Sequence, residues 1–149
     1  VDDIGGGRTG IRLSPVTPAN DVVDANPQTL FEYVVEQLAP LGLAFIHIIE
    51  GATGGPRELD DRPLDYEALK AAYRRAGGKG AWMVNNGYDL PLAETAVAEG
   101  DDLVAFGRPF IANPDLVRRL REKAPLNTLD KATLYGGGAK GYTDYPALA

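Results

Sequence analysis

Two glycine-bearing turns and one arginine carry the residue types in this sequence that could do chemistry. Asn86-Gly87 follows the apolar run Gly80-Ala-Trp-Met-Val-Asn85, and Gly107-Arg108 follows the apolar run Leu103 to Phe106. Glycine lets backbone approach a ligand closely and leaves its N–H free to donate. A cation at such a break suits an anion held at the end of a parallel sheet. Each turn alone is equally well ordinary turn chemistry. Their occurrence at two consecutive strand ends favours a phosphate, as at the site that α/β barrels build after their last two strands. Arg12 is the third candidate, set between Ile11 and Leu13 in a short apolar run. A charge there is costly unless it is paired. The pair is either a neighbouring carboxylate or a bound anionic or electron-rich ligand.

Other candidates carry less. Gly136-Gly-Gly-Ala-Lys-Gly141 has no Ser or Thr after the lysine, follows no strand and opens no convincing helix, so it reads as a loop, not a nucleotide-phosphate loop. His47 lies mid-strand among apolar neighbours and reads as a satisfied core histidine. Tyr66 and Tyr73 at helical spacing read as packing. Arg118, Arg119, Arg121 and Lys123 read as a solvated helix face.

Composition sets the outer bounds. The 149 residues suffice for one domain with a real core, 44% hydrophobic and 24% charged, which is ordinary globular composition. The net charge of -6 argues against nucleic acid as a main partner. With no cysteine, disulfides, thiol catalysis and thiolate metal sites are excluded, and one histidine makes a multi-histidine metal centre or a Ser-His-Asp triad unfavourable. No apolar run approaches membrane-spanning length and the first ten residues lack the pattern of a signal peptide, so a soluble, cytoplasmic protein without membrane partners is expected.

The elements that must position these residues alternate. Four apolar runs, Gly10 to Pro15, Leu43 to Ile49, Gly80 to Asn85 and Leu103 to Phe106, are each followed by a helical pattern. Asn26-Pro27 opens the first helix, whose Leu30, Phe31, Val34, Val35 and Leu38 form one face. The second helix spans roughly Asp65 to Ala76, the third Leu92 to Glu99, and the fourth opens at Asn113-Pro114. The second strand is nearly continuous in apolar residues, as a sheet covered on both faces requires. Such alternation predicts an α/β fold with parallel strands and ligands at their carboxyl ends. Residues 1–149 are expected to form one domain, with four βα units over about 8–123 and a tail over 124–149. An eight-stranded barrel needs about 250 residues, so this is a small open sheet or half a barrel.

Gly10-Ile-Arg-Leu-Ser-Pro15, Asn86-Gly-Tyr-Asp89, Ala105 to Val117 (AFGRPFIANPDLV), Ala124-Pro-Leu-Asn127 and Tyr135 to Pro146 (YGGGAKGYTDYP) resemble the old yellow enzyme family, nearest its bacterial ene-reductase and nitroester-reductase members. The resemblance runs over nearly the whole chain. It implies strands 5–8, the C-terminal half, of a TIM-type (β/α)8 barrel that holds FMN non-covalently at its carboxyl face. NADPH or NADH reduces the flavin, which passes hydride to an activated alkene such as an enone or maleimide, and nitro compounds can also be reduced. By the same resemblance, Arg12 lies beside the flavin N1/O2 edge. Asn86, Gly87, Gly107 and Arg108 bind the FMN phosphate. Leu134 and Tyr135 lie near the flavin's outer edge and the substrate mouth, with Leu134 in place of the usual aromatic. Ala19 occupies a loop position that holds a larger substrate contact in some members.

The resemblance begins around the fifth strand, so the substrate-anchoring His/His or His/Asn pair and the proton-donating tyrosine are expected in a missing N-terminal half; no catalytic residue and no metal site are assigned to this chain. Activity is expected only with that half supplied in trans. The alternatives are a phosphate- or flavin-binding half-barrel without redox activity, which could pair with itself as a homodimer, and a truncated, inactive piece.

Overall fold

The computed structural model describes residues 1–18, 23–134, 136 and 138–149. It divides into two compact units, Val1–Ala105 and Phe106–Ala149, each described by itself.

The first unit is a four-stranded parallel sheet in the order β1-β2-β3-β4: β1 Gly10–Leu13, β2 Phe45–Ile49, β3 Ala81–Asn85 and β4 Leu103–Ala105. Helices α1 (Pro27–Leu38), α2 (Tyr66–Arg75) and α3 (Leu90–Ala98) form the crossovers. Their starts are written in polar side chains. Asn26, Asp65 and Asp89 accept from the backbone N–H of Thr29, Ala68 and Leu92, satisfying donors that the first helical turn leaves free. Asp89 caps α3, which starts at Leu90, two residues before the start expected at Leu92. Gly42 and Gly77, at φ 62° and 90°, take the left-handed turns that follow α1 and α2.

The core lies between one face of the sheet and the helices. Alternate strand residues Ile46, Ile48, Trp82 and Val84 are buried together with Val35, Leu69, Ala72 and Tyr73 from the helices. Tyr73 packs against Trp82 with ring centroids 6.0 Å apart. Its hydroxyl accepts from Gly80 N–H at 3.0 Å, so both ends of this ring are used. Asp102 ties the far side: it accepts from Trp82 N–H and from Arg74, each at 2.7 Å.

The opposite face corrects the expectation of a sheet covered on both sides. In the sheet register, Arg12, His47, Met83 and Leu103 form one row across all four strands. Arg12 is exposed, His47 and Met83 are half-buried, and Leu103 is 43% exposed. Among the described residues no helix of this unit packs on that row, and β4 is an edge strand with Leu103 exposed. Along β2 the helix-facing Ile46 and Ile48 are buried, while on the other face Phe45 and His47 are half-buried and Ile49 is buried.

The second unit opens with α4 (Arg108–Ala112), a short helix whose first residue is Arg108, followed by α5 (Leu116–Glu122). The sequence pattern missed α4 because five residues are too short to show a helical period. Arg119 corrects another expectation. It is 4% exposed, not part of a solvated face. Its guanidinium donates to Asp115 and to the carbonyls of Pro125 and Pro146. Asn113, wholly buried, accepts from Asn127 N–H at 2.7 Å and donates to Pro109 O at 2.7 Å. Asn127 in turn donates to Ala112 O and Pro146 O. A tail without hydrophobic period is thus fixed by polar side chains, which is why periodicity could not find its structure.

Candidate functional site

Arg12 enters the site from the middle of β1, on the open row, with no ion pair among the described residues. The carboxylate-pair reading of Arg12 is thereby removed among these residues. Its cross-strand neighbour is His47. Burial, then the Arg12 charge, hold the His47 imidazole below its ordinary pKa, which favours its neutral form. His47 Nε2 is buried without a hydrogen-bond partner, against the expectation of a satisfied core histidine. The sheet has placed a cation and an unsatisfied imidazole side by side.

At the carboxyl end of β3 the chain makes two successive left-handed residues, Asn86 at φ 116° and Gly87 at φ 72°. For asparagine such a φ is uncommon, and its side chain supplies the reason. Asn86 Nδ2 donates to Glu50 O at 2.6 Å and Ala52 O at 3.0 Å, tying this turn to the end of β2. A Cβ built on Gly87 meets nothing within 4 Å, and its N–H donates to no described residue. Open backbone of this kind fits an anionic group.

In the second unit, Gly107 precedes α4. It too has open space where a Cβ would be, and no described residue accepts from its N–H. Arg108 is exposed and takes part in no ion pair among the described residues. The donor sets at Gly87 and at Gly107-Arg108 thus each fit a phosphate by their chemistry. Leu134 is buried at the end of a 3-10 turn, Lys131–Thr133. Ala19 and Tyr135 lie outside the described residues.

One cluster escaped the reading of the sequence. Glu50, the residue after β2, accepts from the Tyr88 hydroxyl at 2.8 Å and forms an ion pair with Arg57, its carboxylate 3.3 Å from Arg57 Nε. The Arg57 guanidinium lies over the Tyr88 ring, 4.8 Å from its centre. Burial pushes the Glu50 carboxyl above its ordinary pKa, opposed by Tyr88 and Arg57. Burial beside Glu50 pushes the Tyr88 hydroxyl well up, so it stays a proton donor. The available signal was position: Glu50-Gly51 is a strand end, but a lone glutamate in a charged loop has no spacing that marks it.

Comparison with known proteins gives these features a context. Residues 1–127 match the NADH:flavin oxidoreductase / NADH oxidase family, Oxidored_FMN. The chain is 42% identical over 149 residues to the putative 12-oxophytodienoate reductase 10 of Oryza sativa subsp. japonica, covering 98% of this chain and 47% of that protein. It is 38% identical over 148 residues to 12-oxophytodienoate reductase 2 of Arabidopsis thaliana, covering 98% and 38%. Among solved structures, the old yellow enzyme from Trypanosoma cruzi is similar with a TM-score of 0.84 and 35% identity, covering 99% of this chain and 37% of that one. Morphinone reductase is similar with a TM-score of 0.81 and 38% identity, covering 97% and 37%. The chain spans less than half the length of each of these relatives. No helix among the described residues is long and apolar enough to cross a membrane.

Proposed function

We propose, from the premise that this chain belongs to the NADH:flavin oxidoreductase / NADH oxidase family of old yellow enzymes, that it is the FMN-binding part of an NAD(P)H-dependent reductase of activated C=C bonds. In this reading β1 to β4 are strands 5–8 of an eight-stranded α/β barrel. The N-terminal half is supplied by a second polypeptide and brings the substrate-anchoring pair and the proton donor. Enones and maleimides are the substrate class, with nitro compounds as further acceptors.

The observation that carries the reading is Arg12. A guanidinium in mid-strand, on an open sheet face and without a carboxylate among the described residues, is solvated while that face is open and requires an electron-rich partner once the face is covered. A flavin edge is such a partner, and the positive charge beside it favours the form of the ring that carries more electron density. In the second unit the Gly107 N–H and the Arg108 guanidinium would hold the FMN phosphate through charge-assisted hydrogen bonds, and in the first unit the open Gly87 N–H is by itself a further donor of the kind such an anion takes. FMN, when bound, supplies the two-electron carrier between the nicotinamide and the alkene. The chain's own part is to grip the phosphate and to set charge beside the ring.

The test is reconstitution. The chain is mixed with FMN, alone and with a polypeptide carrying the missing four strands, then desalted. Retained visible flavin absorbance and enone-dependent NAD(P)H oxidation by the mixture are expected. A mixture that retains no flavin would remove the reading.

A further inference from the structure

Beside the Glu50 cluster lies a cavity of about 480 Å³, at the carboxyl end of β2 and wholly within the first unit. Nothing in the flavin reading uses it. Three of its lining residues, Glu50, Arg57 and Tyr66, are held in place by polar contacts. Arg57 is fixed on one edge by Glu50 and on one face by Tyr88, and its Nη1 is buried without a hydrogen-bond partner. Tyr66 Oη accepts from Gly51 N–H at 2.6 Å, and its own proton has no acceptor among the described residues. A guanidinium held rigid but unsatisfied, next to a hydroxyl with a proton to give, leaves two donor groups without acceptors. An unpaired buried donor is costly, and more so when it is charged. Supplying an acceptor recovers that cost.

We propose that this cavity is an oxyanion site, taking the carboxylate or phosphate group of a small molecule between the Arg57 guanidinium and the Tyr66 hydroxyl. The acidic groups nearby do not forbid it. Glu58 and Asp60 sit on the rim, exposed to solvent, where water and salt screen them. Glu50 is already engaged, accepting from Tyr88 and ion-paired with Arg57, and its charged form is disfavoured by burial. The Arg57–Glu50 contact orients the guanidinium as a metal ligand's outer partner orients the ligand, leaving its remaining donors for the anion.

Isothermal titration of the full 149-residue chain, without FMN and at fixed ionic strength, tests the site with sodium acetate and, separately, inorganic phosphate. Saturable binding of at least one probe is expected; acetate alone points to carboxylate ligands, phosphate alone to phosphorylated ones. Arg57→Ala should weaken that binding by about ten- to a hundredfold and Tyr66→Phe by about three- to tenfold. Arg57→Lys, which keeps the charge and loses the fork, should fall between Arg57→Ala and the unaltered chain. Absence of saturable binding by the unaltered chain overturns the proposal. So does a folded Arg57→Ala chain that binds like the parent. If Arg57→Ala does not fold, as its circular dichroism will show, parental affinity in both Arg57→Lys and Tyr66→Phe overturns it. Loss on Arg108→Ala without loss on Arg57→Ala would assign the anion to the flavin-phosphate donors instead, and equally overturns it. Because FMN is absent from the titration, failure here leaves the reconstitution test of the flavin reading intact.

Discussion

At the scale of single residues, the chain separates charges that hold the fold from charges left over for ligands. Arg74 and Arg119 spend their donors on backbone carbonyls and carboxylates. Arg12 and Arg108 have no such contacts among the described residues. Removing Arg108 should therefore harm cofactor binding and leave the fold alone. Arg108→Ala is expected to weaken FMN retention by about ten- to a hundredfold, measured by fluorescence titration of the reconstituted protein, with an unchanged urea midpoint. Glu50 gives a pH dependence whose sign is fixed by burial. Its folded-state pKa lies above the ordinary 4.5, so between that value and the raised one the folded state binds more protons than the unfolded. The contribution of Glu50 is then fully present below 4.5 and is lost as pH rises through the raised pKa. Urea midpoints over a pH series should fall across that window, and Glu50→Gln should flatten the fall while keeping an acceptor for Tyr88.

At the scale of elements, strand and helix existence was legible and their ends were less so. All four strands and the helices α1, α2, α3 and α5 follow from apolar runs, helical spacing and the Asn26 and Asp65 region signals. Helix α4 and the tail were not, because α4 is too short for a period and the tail is fixed by long-range polar contacts. Arg119 shows why. Its sequence neighbours Arg118 and Arg121 suggest a solvated stripe, but the helix rotates Arg119 inward to meet Asp115, Pro125 and Pro146. Arg119→Ala strands a carboxylate and two carbonyls. For the two carbonyls left without a donor it should cost about 1–3 kcal/mol in urea unfolding, and it should release the tail to limited proteolysis. Acid should loosen the same contact: the Leu148 N–H and then Arg119 hold Asp115 below the usual 3.8, so its contribution is present above that value and lost as pH falls through the lowered pKa. Tail cleavage by an acid-active protease should rise on that side, and Asp115→Asn should abolish the rise.

For the whole molecule, the question is what covers the open row from Arg12 to Leu103. A parallel sheet with an exposed edge and an uncovered apolar face invites association. Under the proposed function the cover is one complementary half-barrel. Native mass measurement of the chain with and without that polypeptide should then give a one-to-one complex of two different chains. A stable dimer of identical chains that excludes the other half would instead favour self-closure about a two-fold axis.

The sequence by itself determined that this is a βα-alternating, cysteine-free chain of old yellow enzyme type with glycine turns at its last two strand ends. Those properties are local: propensity, period and motif spacing lie within a few residues of each other. Only the tertiary structure decided which charges are consumed. Sheet register brought Arg12 against His47, chain reversal turned Arg119 inward, and the return of the β2 loop placed Arg57 and Tyr66 on a cavity with Glu50. Pairings such as Arg119 with Pro146, 27 residues apart, and Arg12 with His47 on the neighbouring strand depend on packing, and packing has no signature in the spacing of residues along the chain.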